Sequence, residues 1–280
     1  MSFRSAKAFW NRYRRNKAGV IGLAITCFFI TLAFLSPLIS PFDPMKIDSH
    51  PFLAPNSKHP MGTDDLGRDV FSGVLYGSRI SLFIGFLAAA TSTAIGVVIG
   101  GLSGYYGGRT DDLLMRITEL FLVIPRFFLA ILLVGFFGSS IWNVISVVGI
   151  LSWPGTARLV RAEFLSLKER QFVDAARVLG ASNANLIFDE ILPNASPPII
   201  INGSLEVARA ILIEAGLSFL SLGDPVQPSW GIMLSNAQRF IRYAWWMAFF
   251  PGLSIFTVVV GLNMMGDGLN DVLNPRLREA

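Results

Sequence analysis

Four long stretches of this chain carry no charge. Twenty-five uncharged residues separate Lys17 from Asp43, 29 separate Arg79 from Arg109, 31 separate Arg126 from Arg158, and 24 separate Arg242 from Asp267. A helix crossing the hydrocarbon core of a bilayer needs about 20 mostly apolar residues, and each stretch supplies them. The whole chain agrees, being 52% hydrophobic and only 15% charged, against roughly 25% charged residues in soluble domains. These figures exclude a soluble globular protein and a disordered one. The single Cys27 lies in an apolar run and excludes an intramolecular disulfide framework and a Cys-based zinc site.

The apolar runs predict an all-α integral membrane protein with six transmembrane helices. They cover about Ala18–Pro37, Ser81–Ser103, Leu113–Phe137, Ile141–Leu159, Pro197–Leu222 and Trp245–Met265. The third is interrupted by Arg116, Glu119, Pro125 and Arg126, the fifth by Glu206, Arg209 and Glu214. On one side of these spans lie fifteen Lys and Arg residues, on the other six, and Arg126 and Arg209 fall within spans. The positive-inside rule puts the richer side, with both termini, in the cytoplasm of a multi-pass cell-membrane protein. The net charge of +4 therefore reflects orientation, and no aromatic and basic platform for nucleic acid is visible.

The first run is too long for a signal-peptide core and lacks a small-x-small cleavage site, so it reads as an uncleaved anchor. Before it, Phe3, Phe9, Trp10 and Tyr13 alternate with basic residues, the composition of an interfacial helix. The chain divides into that helix (1–17), the first span with an outer loop (18–77), and a core of five spans (78–280) carrying an inner loop at 160–196.

The inner loop is helical in pattern. Phe172, Ala175, Ala176 and Leu179 fall at i, i+3, i+4 and i+7, one apolar face of a short helix beside Asp174 and Arg177. Gly180 stands where a helix favours a left-handed terminator. Ser182 is placed to cap a second helix from Asn183 to about Ile191. Pro193 is expected to end it, and Pro197 and Pro198 to open the fifth span. A packed loop and a docking element for a partner both fit this pattern.

The residues go further. Asp174-Ala175-Ala176, three residues, Gly180, then Ile191-Leu192-Pro193 resembles the EAA loop of membrane subunits of bacterial ABC importers. The stretch FVDAARVLGASNANLIFDEILPN resembles the version in dipeptide, oligopeptide, nickel and glutathione importers. His59–Leu82, Ala210–Leu234 and Asn274-Pro275-Arg276-Leu277-Arg278 resemble other segments of that subfamily. The family usually has Glu where Asp174 stands, and Glu190 occupies a position where it often has His. The shorter Asp174 keeps the charge and re-aims its contact.

The resemblance implies a type I ABC importer fold and a non-catalytic permease subunit. It would form half of a heterodimeric pore with a homologous second permease. Two ATPase subunits would bind the inner loop through Asp174, Ala175, Ala176, Gly180, Ile191, Leu192 and Pro193. ATP and Mg would sit on those subunits, and none on this chain, which has no G-x-x-x-x-G-K-[ST]. An extracytoplasmic binding protein would deliver peptides, with nickel complexes, glutathione or oligosaccharides as the alternatives.

Ionisable groups within spans are costly and face protein or water. At 100° per residue, Asn202, Glu206, Arg209, Glu214 and Ser221 share one arc of the fifth helix, which reads as a pore lining or as a subunit interface with Glu206 and Arg209 paired. Arg126 reads as paired inside the bundle, with Glu119 nearby. In the outer loop, Asp64, Asp65, Arg68 and Asp69 read as a salt-bridged stiffener or as a docking patch. His50 and His59 lack the spacing of a metal site. An ion-coupled secondary transporter using Glu206, Glu214 or Asp267 is the competing class, but no internal repeat of the kind common there is visible. A membrane enzyme would need a convergent catalytic set that two histidines in one loop do not supply.

Overall fold

The computed structural model describes residues 9–273. The readings that fall on residues 1–8 and 274–280 lie outside it. The described residues form helices and connecting loops. These are α1 (Lys17–Ile39), α2 (Val70–Tyr106), α3 (Gly108–Val123), α4 (Arg126–Phe137), α5 (Ile141–Leu167), α6 (Gln171–Val178), α7 (Leu192–Phe219), α8 (Trp230–Ala237) and α9 (Trp246–Leu273). Between α6 and α7 lie a helical turn, Asn183–Asn185, and a π-helical segment, Leu186–Ile191.

Four helices (α1, α2, α5 and α9) are long and apolar enough to cross a membrane. A fifth span is counted if α3 and α4, bent 83° at their junction, form one broken crossing. The third predicted helix is thus broken at the interruption its sequence shows. Pro125 removes an N–H and forces the preceding residue towards extended backbone, and Ile124 has φ −84° and ψ 127°.

The second helix also starts earlier than its apolar run suggests, at Val70. Asp69 caps it, accepting the Ser72 N–H at 2.8 Å. An apolar window finds the membrane-buried part of a helix and misses an extension stabilised by a cap.

With 37 residues, α2 is the mast of the bundle. Gly96, Gly100 and Gly104 recur every fourth residue on its face towards α5. A Cβ on Gly96 would lie 2.5 Å from Thr156 Cβ, one on Gly100 2.8 Å from Val160 Cβ, and one on Gly104 2.6 Å from Phe164 Cβ. Lipid tails offer no hydrophobic incentive for helices to associate, so packing and close backbone approach must. The repeat stands openly in the sequence, but a count of apolar residues does not distinguish it. A second close crossing joins α1 to α9, where Gly19 meets Gly268 and Gly22 meets Gly261.

Four clusters of side chains fill the bundle among the described residues, one of them joining Val70 and Val74 of α2 to Ala237 of α8 and to Trp246 and Met247 of α9. Phe29, Leu82, Ile211, Trp230, Val258 and Leu262 join α1, α2, α7, α8 and α9. Ile84, Val134, Val148 and Leu217 join α2, α4, α5 and α7. Val160, Phe164, Val173, Leu186 and Ile191 pack the end that carries α6.

Gly100→Leu is expected to force α2 from α5 and to cost about 1–3 kcal/mol or more, as overpacking does. Gly155→Ala on α5 faces open space and should be neutral or stabilising by up to about 1 kcal/mol. Thermal unfolding of the two variants in detergent tests the contrast.

Candidate coupling hairpin and polar groups of the bundle

The hairpin at residues 171–191 begins with α6, eight residues of helix. Its termination is a Schellman motif. Gly180 N–H bonds to Arg177 O at 3.0 Å, Ala181 N–H bonds to Ala176 O at 3.1 Å, and Gly180 has φ +86°. Ser182 then accepts the Asn185 N–H at 3.2 Å, the cap its position suggested.

The buried side of α6 differs from the expected apolar stripe. Val173 is fully buried and Ala176 packs beside it, against Phe164, Leu186 and Ile191. Phe172 and Ala175 are exposed, and Val178 and Leu179 are each 87% exposed. The helix thus has two apolar edges. One seals the hairpin to the bundle, and the other is presented outward. A spacing rule counts apolar residues and cannot tell which edge meets the bundle. Asp174 and Arg177 pair at 2.8 Å, both more than half exposed, a geometry that adds little stability.

Pro193 does not end the second helix. The chain runs from Asn183 through the π-helical segment into α7 without a break. In that wider turn Leu192 N–H reaches back five residues to Ile187 O. Pro193 then follows this wider turn inside a continuous helical path, where the altered bonding register accommodates its missing N–H. Pro197 and Pro198 lie inside α7 rather than opening it. Ser196 Oγ donates to Pro193 O and Asn194 Nδ2 to Glu190 O, both at 2.7 Å, so side chains serve carbonyls in this proline-rich stretch. Ile191 is fully buried, and Asp174, Ala175, Gly180 and Pro193 are exposed.

Two ties fix this end of the bundle. Tyr105 OH at the end of α2 donates to Asn183 Oδ1 at 2.8 Å. Arg161 of α5 forks onto both oxygens of Asp111 of α3, and Ser103 of α2 donates to the same carboxylate.

The polar stripe of the fifth predicted span is dispersed by the packing. Asn202 donates to Thr156 of α5 at 2.9 Å. Glu206 is buried and accepts from Arg209 at 2.8 Å, while Arg209 itself is half exposed. Glu214 is buried and accepts from Ser218 at 2.7 Å. Ser221 lies beyond the end of α7 at φ +63°. A helical wheel assumes one surface facing one environment, whereas α7 is surrounded by α2, α5, α8 and α9. Arg126, at the α3–α4 break, pairs with no carboxylate among the described residues, and Glu119 is exposed. The 83° bend takes the two groups onto separate helix axes.

At the opposite end, the loop before α2 is stiffened by its own charges. Asp64 and Arg68 pair at 2.6 Å, and His59 Nδ1 lies 2.9 Å from Asp69 Oδ1. Trp246 Nε1 of α9 donates to Thr63 O at 3.1 Å. Between this loop and residues 218–236 lies a cavity of about 360 Å³. Asp65 lines it, and its Oδ1 has neither partner nor exposed surface. Burial, and next the neighbouring Asp64, push the Asp65 carboxyl above its ordinary range, with Arg68 acting the other way.

Comparison with known proteins places this geometry. Residues 96–279 match the model of the binding-protein-dependent transport system inner membrane component. Residues 6–59 match the N-terminal TM domain of oligopeptide transport permease C. A dipeptide transport system permease protein of Alkalihalophilus pseudofirmus is 40% identical over 96% of this chain and 89% of its own. An oligopeptide transport system permease protein of Bacillus subtilis is also 40% identical, over 96% and 88%. A glutathione transport system permease protein of Pectobacterium atrosepticum is 38% identical, over 97% and 91%.

A carboxyl raised on folding contributes stability at acid pH that is lost as pH rises through its folded value. Asp65→Asn should therefore raise the unfolding temperature at neutral pH, with the difference vanishing below the ordinary carboxylate range. A pH series of thermal melts reads both limits. Gly180→Ala places a Cβ at positive φ, which is expected to cost about 1–2 kcal/mol and to speed amide exchange in the hairpin.

Proposed function

The chain belongs to the family of binding-protein-dependent transport system inner membrane components, and from that premise we propose that it is one half of the pore of an ATP-driven peptide importer. It is a multi-pass inner-membrane protein. Its partners are a homologous second permease, two ATPase subunits at the hairpin, and a binding protein at the opposite end. ATP and Mg belong to the ATPase subunits. Relatives are named for dipeptides, oligopeptides and glutathione, and glutathione is itself a small peptide, so the shared cargo is a short peptide.

The hairpin carries this reading. It offers Phe172, Ala175, Val178 and Leu179 outward on one edge of α6, an apolar edge flanked by the Asp174–Arg177 pair. The other edge is sealed to the bundle, and the helical path continues into α7. A push on α6 is thereby delivered to a spanning helix through a rigid element rather than a coil, as a two-state lever requires. Asp174, Ala175, Ala176 and Gly180 form the contact and its turn, and Ile191, Leu192 and Pro193 form the joint.

The topology follows the same reading. It has six spans, with α3–α4 as a broken third and α7 as the fifth. Both termini and the hairpin are cytoplasmic, on the side bearing fifteen basic residues. In this reading Lys17–Ile39 is the first span, the loop up to Asp69 lies outside, and the described residues from α2 onward form the core. Among Asn202, Glu206, Arg209 and Glu214, only Arg209 is half exposed. A cation facing lipid at mid-span costs about 2.5 kcal/mol or more, so that face of α7, with Arg126, is turned to the second permease or to the water of the pore.

Proteoliposomes holding the assembled complex, with the binding protein outside, should accumulate labelled dipeptide only when ATP is supplied to the ATPase side. Uptake that survives ATP depletion and collapses with an uncoupler would instead establish ion coupling. Leu179→Glu is expected to cut co-purifying ATPase at least about tenfold, the loss of a hot-spot contact, with the unfolding temperature of the permease unchanged.

A further inference from the structure

The segment after α7 turns back into the bundle. Leu220–Ala237 begins with a Schellman turn, Leu222 N–H to Leu217 O at 2.9 Å, with Ser221 rather than glycine at the left-handed position. Asp224 then accepts Val226 N–H at 3.0 Å and reaches across to the first N–H of α5, Ile141, at 3.1 Å. Ser229 caps α8. Trp230 is fully buried among α1, α2 and α7. Its indole N–H donates to Val74 O at 3.0 Å, and Phe29 meets its ring edge-on at 5.8 Å. Gly231 approaches α7 so closely that a Cβ would lie 2.8 Å from Ala215 O.

Beneath this plug sits Glu214, 1% exposed. It accepts hydrogen bonds from Ser218 on its own helix at 2.7 Å and from Ser81 of α2 at 3.4 Å. Ser229, on the returning segment, lines the same small void as this carboxyl. Ser81 Oγ also accepts the Trp230 N–H at 3.2 Å. One carboxyl of α7 is therefore bonded to Ser81 of α2 and, through that hydroxyl, linked to the plug at Trp230, with no basic side chain among its hydrogen-bond partners in the described residues. The plug forms one wall of the 360 Å³ cavity, and residues 44–73 form most of the other.

We propose that Leu220–Ala237 is a gate at this end of the bundle and that Glu214 is the positioning residue that latches it shut. The hydroxyl bridges suit a latch because each is a single directed bond. The layer lost on opening is one tryptophan and its neighbours, and the α2–α5 glycine seam is untouched. The moment of opening rests on the importer reading. The closure by Glu214 does not.

Amide exchange measured by mass spectrometry on the assembled complex tests both. In the parent, the peptide spanning Ser229–Leu234 should be protected without nucleotide and should exchange faster when the ATPase subunits are trapped with vanadate. Glu214→Leu should exchange this peptide at least about tenfold faster without nucleotide, the effect of losing one or two ordinary hydrogen bonds, and should no longer respond to trapping. Glu214→Gln, which can keep the bonds, should behave as the parent. The Gly96–Gly104 peptide is the internal control and should not change. If it also loses protection in Glu214→Leu, Ser229→Ala and Ser81→Ala provide the same reading with a smaller lesion. Unchanged protection of Ser229–Leu234 in variants with an intact seam would overturn the latch, as would Glu214→Gln opening like Glu214→Leu. Normal latching with no response of the parent to trapping would overturn the gate and leave the closure standing.

Discussion

Gly96, Gly100 and Gly104 stand four residues apart on α2, and what they bring close is the backbone of α5. In a bilayer this proximity replaces the hydrophobic effect as the source of cohesion, because lipid solvates an apolar helix as well as another helix does. Many weak contacts accumulate only where no side chain stands between the axes. The rest of the bundle is arranged around that seam. At its lower end, Tyr105 and Ser103 tie α2 to the hairpin and to the Asp111–Arg161 pair. At its upper end, Asp69 caps α2 and, with His59, anchors the loop before it. One rigid helix thus connects the two ends at which movement is proposed.

Polar groups inside the bundle follow from the same absence of water. A buried carboxyl in this setting needs partners from the protein itself. Glu206 finds a guanidinium three residues on, and Glu214 finds serine hydroxyls. The first arrangement leaves Arg209 half exposed. The second is closed within the chain, and its strength depends on where the plug sits. Two acids on one helix, eight residues apart, therefore have different consequences.

Much of the hairpin was legible before any coordinate. Gly180 and Ser182 carry turn and cap chemistry that is local, so sequence order suffices to find them. Pro193 misled because the usual rule treats proline as a stop. A π-helical turn just ahead of it let the helix pass, and nothing in the residue order announces that turn. The apolar spacing points to Phe172, Ala175, Ala176 and Leu179 as one face of α6, yet of these only Ala176 packs, beside the buried Val173. Arg126 reads from the sequence as paired inside the bundle with Glu119 nearby, and the 83° bend parts the two groups.

The spacing of charges, by itself, determined that this chain lives in a bilayer and roughly where its helices run, while apolar periodicity with Gly180 and Ser182 marked a helical hairpin at residues 171–191. These follow from dehydrating a backbone over about 20 residues and from φ preferences, which act locally. Only the tertiary structure decided which face of each helix is covered, that α3 and α4 part at 83°, and that Trp230 returns to plug the bundle above Glu214. Those outcomes depend on contacts between residues far apart in the chain, such as Ser81 with Trp230 and Gly100 with Val160. Their energies exist only once the helices have met.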